Sequence, residues 1–329
     1  MKIAIVHNKI SKGEGIDAYD VLKQVEAVAA ALDKGDYQVK VLECSLDLET
    51  ICTQLKTLGI EVVFNLVESL GGYGSLIHLF PSVLEAIKIP FTGSSADTLR
   101  LVSNKILAKK MLLEAGLPTP AWIDPLEKEK SLEKQVVGKT WIIKSVWEHA
   151  SIGLNAASVI SPGAVEELYT SLLDKSEKYG GYWFAEEFID GREFNISLLG
   201  NKECLRILPP AEIVFEDFSP DIPKILDYAA KWIESSFVYQ HTKRCFSFSE
   251  EDLPLLQTLK TLSQKCWEIF GLRGYARVDF RIDKYGQPWI LEVNANPCLS
   301  PDAGFAAALE KAGINYSEAI RSIIEDSIF

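Results

Sequence analysis

Charged and amide side chains alternate with apolar residues in two neighbouring segments near the end of the chain. Arg277 and Asp279 lie in the first segment, and Glu292 and Asn294 lie in the second. Residues 283–287 between them have turn composition, so the two segments are predicted to pair as a β-hairpin. Because side chains alternate across a strand, Arg277 shares a face with Asp279, and Glu292 shares one with Asn294. Two carboxylates and an amide oxygen suit magnesium, which prefers hard oxygen ligands and keeps positions for water and phosphate.

Two lysines occupy positions that a phosphate partner would explain. Lys144 ends a predicted strand at 141–144, where an unpaired ammonium would be costly to bury. Lys105 lies near the start of an amphipathic helix predicted over 103–115, and a plain surface lysine is the alternative there. For the hairpin, the alternative is a solvated turn whose acids contact nothing. That alternative does not explain why a polar Glu-Val-Asn-Ala-Asn ends an apolar strand.

The composition of the chain limits the partners of such a site. Its 329 residues are 47% hydrophobic and carry a formal net charge of −12. This acidic excess argues against a nucleic-acid backbone or an anionic membrane as the main partner. The six cysteines have no zinc-binding spacing, and no apolar run approaches the roughly 20 residues of a membrane span. The apolar start is too short for a signal peptide, so we expect a cytoplasmic protein, and its partners are small molecules or other proteins.

The order of predicted elements indicates an α/β first third and an α+β second half. The first third alternates strands with helices, at 3–6, 17–32, 38–42, 48–58, 62–66 and 76–87. This order is typical of a parallel sheet whose site lies at the carboxyl ends of its strands. Strands at 183–188 and 193–199 predict an antiparallel sheet later in the chain. A helix is predicted over 162–175, and a Lys/Glu-rich stretch at 127–134 is interpreted as a solvated connection.

Taken together, these motifs resemble those of ATP-grasp enzymes, and in particular of the D-alanine:D-alanine ligase family. The hairpin segments are Gly-Tyr-Ala-Arg-Val-Asp-Phe at 274–280 and Leu-Glu-Val-Asn-Ala-Asn-Pro at 291–297. Further matching segments lie at 91–94, 104–105, 141–144, 151–153, 184–188, 191–194 and 228–231. The resemblance covers nearly the whole chain. It implies a Rossmann-like lobe at 1–97, a central lobe at 98–182 and a C-terminal lobe at 183–329, the last two clamping ATP.

The resemblance also implies roles for individual residues. The residues expected to bind ATP are Lys105, Lys144, Ser151, Gly153, Glu186, Phe188, Glu193 and Lys231. Asp279, Glu292 and Asn294 are expected to hold one or two magnesium ions, which manganese could replace. Arg277 and Lys231 are the expected catalytic residues. In this scheme Glu186 lies near the adenine amino group, although for Glu193 a plain ion pair with Arg192 stays open. Loops at 147–153 and 232–244 are expected to act as lids.

The substrate end departs from the family pattern. Where the family has an acidic residue after the first turn, only Glu14 could serve, and the family's His-Gly is replaced by Glu68-Ser69. A hydroxyl that would bind the substrate carboxylate is missing at Ala303, and others are missing at Ala150 and Trp232. The candidate substrate residues are therefore Glu14, Glu68, Cys298, Ser300 and Asp302. Since the ATP and metal residues remain, a different substrate is the direct inference.

The resulting hypothesis is an ATP- and magnesium-dependent carboxylate–amine ligase that works through an acyl phosphate. Its substrates are expected to be an amino acid or peptide-like pair, and the resemblance also suggests a homodimer. True D-alanine:D-alanine ligation stays open, as do an ATP-grasp kinase and an ATP-binding sensor without turnover. A dinucleotide oxidoreductase is disfavoured because no G-x-G-x-x-G joins the first strand to the first helix.

Overall fold

Three sheets carry the fold in the computed structural model, which describes residues 1–11, 13–33, 37–127, 136–200 and 204–328. The strands are β1 (Lys2–Asn8), β2 (Gln38–Cys44), β3 (Val62–Leu66), β4 (Trp122–Ile123), β5 (Trp141–Ser145), β6 (Val159–Ile160), β7 (Trp183–Glu187), β8 (Arg192–Gly200), β9 (Leu205–Ile207), β10 (Ala211–Phe215), β11 (Thr242–Cys245), β12 (Gly274–Ile282) and β13 (Pro288–Asn294). The helices are α1 (Ile16–Leu32), α2 (Leu48–Leu58), α3 (Leu79–Ile87), α4 (Ala96–Ser103), α5 (Lys105–Glu114), α6 (Val165–Tyr179), α7 (Tyr228–Trp232), α8 (Phe237–Gln240), α9 (Leu253–Phe270), α10 (Gly304–Lys311) and α11 (Tyr316–Ile328).

The first sheet is parallel, with strand order β2-β1-β3, as the sequence predicts. Its central strand is buried on both faces, which matches the uninterrupted apolar run of β1. The helix predicted over 76–87 begins only at Leu79, after a short 3₁₀ turn at Gly74–Leu76. Pro81 explains the difference, because a proline without an N–H is accommodated in the first turn of a helix but not further inside it.

The central sheet is antiparallel, with order β4-β7-β5-β6. The predicted strand at 183–188 therefore pairs with β5 rather than with the strand that follows it. The chain leaves this sheet through Gly191, where an added Cβ would lie 1.8 Å from the carbonyl oxygen of Ile282. Only a residue without a side chain allows that approach. We propose that the boundary between the central and C-terminal lobes lies after Glu187 rather than at 182/183.

The C-terminal sheet is antiparallel and mixes distant parts of the chain. Its order is β11-β10-β8-β12-β13, with β9 paired to β8. The helix predicted over 103–115 forms as α5, which begins after Asn104 because that side chain accepts from the backbone N–H of Leu107. A further helix, α4, ends directly before it at Ser103. Both α4 and α5 pack with α9 against this sheet and share its apolar core.

A second core joins the two ends of the chain. Helices α1 and α11 pack together, and apolar residues of the first sheet share this core with Tyr275 and Phe305. No helix in the described ranges is long and apolar enough to cross a membrane. The predicted connection at 127–134 lies outside the described residues from position 128 onward.

Candidate active site

A cavity of about 570 Å³ lies where the three sheets approach one another. Its lining comes from all three parts of the molecule, with acids of α1 and of the loop after β3 at one end and lysines of α5 and the central sheet at the other. The predicted residues that line it are Lys105, Lys144, Ser151, Glu186, Phe188, Glu193, Lys231, Arg277, Asp279, Glu292, Asn294, Glu68, Cys298 and Asp302. Gly153, Glu14 and Ser300 do not line it.

A buried carboxylate between two lysines forms one end of the cavity. Glu186 is 1% exposed, and its two oxygens lie 2.5 Å from the ammonium of Lys144 and 2.7 Å from that of Lys109. Burial by itself would raise the pKa of Glu186, but the two lysines lower it. The carboxylate expected beside adenine is therefore engaged by lysines in this structure. Burial in turn lowers the pKa of Lys109 to about 8.

Lys109 is a residue that sequence reasoning missed. It is 1% exposed and also donates to the hydroxyl of Thr119 at 2.9 Å. Lys110 next to it points outward and pairs with Glu127, so composition alone does not separate the two. The available signal was helical spacing, since Lys109 follows Lys105 by four residues and shares its face of α5.

Hydrogen bonds and packing contacts hold the loop at 147–153 against neighbouring segments. Lys105 donates from its ammonium to the carbonyl of Glu148 at 2.8 Å, and burial lowers the pKa of Lys105. Ser151 adopts a positive φ of 60° and donates from its hydroxyl to the carbonyl of Leu226 at 2.6 Å. Gly153 faces Trp183, where an added Cβ would lie 2.5 Å from the indole ring. Its role in the loop is thus close packing rather than a place in the cavity wall.

The ion pair left open for Glu193 does not form with Arg192. Arg192 pairs instead with Glu212, whereas Glu193 lies 2.6 Å from Arg281. Consecutive residues of β8 face opposite sides of the sheet, which explains the exchange of partners. The guanidinium of Arg281 also lies 5.8 Å from the ring centre of Phe188. Glu193 and Phe188, which were both predicted to bind ATP, therefore contact the same arginine.

The predicted hairpin forms as β12 and β13, with Asp279 directly opposite Glu292 and Arg277 opposite Asn294. Arg277 donates two hydrogen bonds to Asp279, of 2.8 and 2.9 Å. Asn294 donates to Asp279 at 3.1 Å and to Glu292 at 3.3 Å. Asn195 of β8, which sequence reasoning missed, donates to Asp279 at 2.8 Å. The hairpin therefore gathers the four predicted residues into one cluster.

The donor set of this cluster fits magnesium. Asp279 and Glu292 lie within hydrogen-bonding reach of each other, and burial raises the pKa of Asp279 although Arg277 opposes that effect. Burial also disfavours ionisation of Glu292, but Lys105, Lys231 and Arg277 lower its pKa. The described residues hold no group of three or more His, Cys, Asp or Glu at metal-binding distance. Two carboxylates and an amide match an ion that takes the rest of its shell from phosphate and water.

Lys231 approaches the cluster from the short helix α7. Asp227 caps this helix by accepting from the N–H of Ala230, and Trp232 donates from its indole to the carbonyl of Ala150 at 3.0 Å. Burial lowers the pKa of Lys231, while Glu292 raises it. The segment that carries Lys231 is therefore held against the loop at 147–153.

Acids from α1 and from the loop after β3 form the other end of the cavity. Glu14, the predicted substrate residue, instead accepts from the backbone N–H of Ser11 and caps its own turn. Asp17 and Asp20 line the cavity in its place. They lie one turn apart on α1, and this spacing after the first strand was the signal that could have identified them.

The acids at this end are joined by hydrogen bonds. Glu68 accepts from the side-chain amide of Gln24 at 2.8 Å. Asp20 accepts from the thiol of Cys298 at 3.0 Å and from the hydroxyl of Ser300 at 3.2 Å, so Ser300 supports the wall from behind it. Burial raises the pKa of Glu68 to about 7, and the neighbouring charge of Asp20 adds to that effect.

Comparison with protein families and sequences identifies relatives of this chain. The family model described as "D-ala D-ala ligase C-terminus" matches residues 111–325. An uncharacterized protein, y4sG, of Sinorhizobium fredii is 31% identical over 91% of this chain and 86% of its own length. A D-alanine–D-alanine ligase of Bordetella avium is 28% identical over 84% of this chain and 80% of its own length.

Solved structures show the same fold. The D-alanine–D-alanine ligase of Bacillus anthracis complexed with ATP has a TM-score of 0.75 at 21% identity, covering 100% of this chain and 97% of its own. D-alanyl-alanine synthetase A of Vibrio cholerae has a TM-score of 0.75 at 15% identity, covering 99% and 98%. At these identities the likeness concerns architecture, and it agrees with the α/β ATP-grasp fold that the sequence predicts.

Proposed function

The chain belongs to the D-alanine:D-alanine ligase family of ATP-grasp enzymes, and from this premise we propose that it is an ATP-dependent carboxylate–amine ligase. The observation that carries the proposal is the arrangement of charges in the cavity. Lys105, Lys144 and Lys231 line the same cavity as the Asp279–Glu292 pair. Cations placed beside a divalent-ion site suit the transfer of a phosphoryl group, whose charge spreads over its oxygens.

The proposed reaction has two steps. The substrate carboxylate attacks the γ-phosphate of ATP, which releases ADP and forms an acyl phosphate. The amine then attacks the acyl carbon, and phosphate leaves as the carbon–nitrogen bond forms. The three lysines and Arg277 would offset negative charge that develops in the first step.

Magnesium belongs to the proposal through the residues that would hold it. Asp279, Glu292 and the amide of Asn294 supply the protein ligands, and the ion would neutralise charge on the phosphate oxygens. Arg277 and Asn195 already hold Asp279 through hydrogen bonds in this structure. Arg277 and Asn195 would therefore orient Asp279 as a ligand of the ion.

The segments predicted as lids support an enclosed reaction. The loop at 147–153 contacts α7 through Trp232, and Tyr228 of α7 donates to Asp17 at 2.7 Å. These contacts connect the central part of the molecule to α1 across the cavity. Excluding water in this way would protect an acyl phosphate from hydrolysis.

We propose substrates other than two alanines. The hydroxyls that the resemblance predicts are absent at Ala150 and Ala303, while Asp17, Asp20 and Glu68 line the cavity. A row of carboxyl groups would attract a cationic amine, so an amino acid or peptide-like compound fits this end. Ligation of D-alanine to D-alanine is the second candidate, favoured by the relatives that carry that name. A homodimer stays a prediction.

The test is phosphate release from ATP and magnesium across a panel of amino acids and small carboxylates, given singly and in pairs. The D-alanine pair is one member of the panel, and the doubly substituted Asp279→Asn/Glu292→Gln protein is the blank. A ligase releases ADP and free phosphate only with a specific pair. Phosphate retained on a single substrate would instead establish a kinase, and ATP binding without any release would establish a sensor.

A further inference from the structure

An arginine outside the expected site, Arg244 on β11, lies at the opening of the same cavity. It is exposed, and it lines the cavity together with Arg277 and Asp302. Arg244 pairs across the strands with Ile213, which also lines the cavity, and residues directly opposite each other share one face of a sheet. The side chain of Arg244 is therefore on the cavity face of the sheet.

Arg244 forms no hydrogen bond or ion pair with any residue that the structure describes. The carboxylate of Asp302 is near enough to act on the guanidinium electrostatically, but it does not contact Arg244. Its neighbour Lys243 differs, because its ammonium lies 2.7 Å from Glu216. Two further arginines line the cavity and both are paired, Arg277 with Asp279 and Arg281 with Glu193. Arg244 is thus a cation at the cavity that remains available to an anion.

The surroundings of Arg244 favour an anion at a defined place. An added Cβ on Gly304 would lie 3.7 Å from two of the guanidinium nitrogens, so the side chain rests against the start of α10. The residue at the cap position of this helix is Ala303, which offers no side-chain oxygen to the first-turn N–H groups. A carboxylate beside Arg244 would accept hydrogen bonds there in place of the hydroxyl that is missing at Ala303.

We propose that Arg244 binds a carboxylate of the acceptor substrate and so determines which amines the enzyme accepts. The acceptor is then an amino acid, or a short peptide, whose carboxylate lies apart from the attacking amine. This inference rests on the proposed ligase function and adds a specificity residue to it. Asp302 near the guanidinium would disfavour a second negative charge, so one free carboxylate is the expected requirement.

The test compares acids with their amides as acceptors. Alanine and alaninamide, and β-alanine and β-alaninamide, are titrated against wild-type protein and the Arg244→Gln variant. We expect wild type to prefer the acids, and Arg244→Gln to raise the KM of the acid about 10- to 100-fold while the KM for ATP stays unchanged. Arg244→Lys should retain part of the preference, and thermal melting should show that all variants are folded.

Lys243→Gln is the matched control. Lys243 is a cation on the same strand, but its ammonium is already paired with Glu216. This substitution should leave the acid-over-amide preference intact. The proposal is overturned if wild type does not distinguish acids from amides, or if Arg244→Gln distinguishes them as well as wild type does.

A binding measurement tests the carboxylate site independently of whether the protein is a ligase. Isothermal calorimetry with the same acids and amides, in the presence of ADP and magnesium, needs no turnover. Acid binding that depends on Arg244 would support the carboxylate site even if no pair of substrates released phosphate. If none of the acids binds, the proposal is wrong whatever the outcome of the phosphate assay.

Discussion

The two ends of the cavity are built from different kinds of structure. At the end that carries the lysines and the β12–β13 hairpin, called the phosphate end below, several charged groups form ion pairs, as in Lys144–Glu186–Lys109 and Arg277–Asp279. At the substrate end, Asp17, Asp20 and Glu68 lie close together and are held mainly by neutral donors such as Gln24 and Cys298.

This difference separates the chemistry from the choice of substrate. Apart from Lys109 on α5, the paired charges of the phosphate end lie on strands of the central and C-terminal sheets. Their positions are therefore fixed by the sheets, so they suit a reaction step that does not change with the substrate. The acids of the substrate end come from α1, the loop after β3 and the loop after β13. Such positions can change without disturbing the sheets, which is consistent with the altered residues there.

The largest expected effect is that of removing a carboxylate from the proposed magnesium site formed by Asp279, Glu292 and Asn294. Glu292→Gln should lower the rate of phosphate release at least about 10³-fold, because it removes a charged oxygen ligand from the proposed magnesium site. The rate is measured over a magnesium titration with the substrate pair found in the panel. Asp283→Asn, on the turn of the same hairpin, is the control and should leave the rate within about twofold. Equal loss in both variants would mean that the hairpin fold, not the ligand, had been damaged.

The second effect tests whether the paired charges also stabilise the fold. Lys109→Met leaves Glu186 buried with one lysine partner, so the free energy of unfolding should fall by about 3–5 kcal/mol. Urea denaturation measures this change. Lys110→Met removes the adjacent lysine, which pairs with Glu127 at the surface, and should cost less than about 1 kcal/mol. Similar losses for the two variants would contradict the distinction between a buried and a surface pair.

The third effect concerns the acids of the substrate end and depends on pH. Burial raises the pKa of Glu68 from its ordinary value of 4.5 to about 7. Between these values the folded protein binds a proton that the unfolded chain has lost, so this group's contribution to stability falls as pH rises from 4.5 through 7. Glu68→Gln should therefore stabilise the protein relative to wild type at pH 8, by roughly 1–3 kcal/mol, and have a much smaller effect at pH 4.5.

Denaturant unfolding at pH 4.5 and pH 8 measures this difference. Glu26→Gln, an exposed position on α1, is the control and should show the same small effect at both pH values. A Glu68→Gln effect that did not change with pH would show that Glu68 is ionised throughout this range, contrary to its burial.

The smallest expected effects compare Glu14, the predicted substrate residue, with Asp17, which lines the cavity instead. Glu14→Gln should change the KM of either substrate less than about twofold, because Glu14 caps its own turn outside the cavity. Asp17→Asn should change the KM of one substrate roughly tenfold, since Asp17 lines the cavity and accepts from Tyr228. The reverse order of these effects would restore the original prediction for Glu14.

Prediction from the sequence succeeded where a short periodic pattern carried the information. The alternation in 277–281 and 289–294 placed Arg277 with Asp279 and Glu292 with Asn294, and the structure has these residues on one hairpin. It did less well where a contact crosses between elements. The alternative partner of Glu193 was wrong because Arg281 lies on another strand, and Lys109 was missed because burial of one helix face depends on the sheet packed against it.

The sequence by itself determined the parallel first sheet, the hairpin of β12 and β13 and the family resemblance, because each depends on local periodicity or on a contiguous motif. Only the tertiary structure decided that β7 belongs to the central sheet and that Asp17 and Asp20, rather than Glu14, line the cavity. It also decided that Arg244 lines the cavity without a hydrogen bond or ion pair to any described residue. These features depend on which distant segments come into contact. Side-chain burial and pairing across lobes are properties of that packing, and no local pattern of residues encodes them.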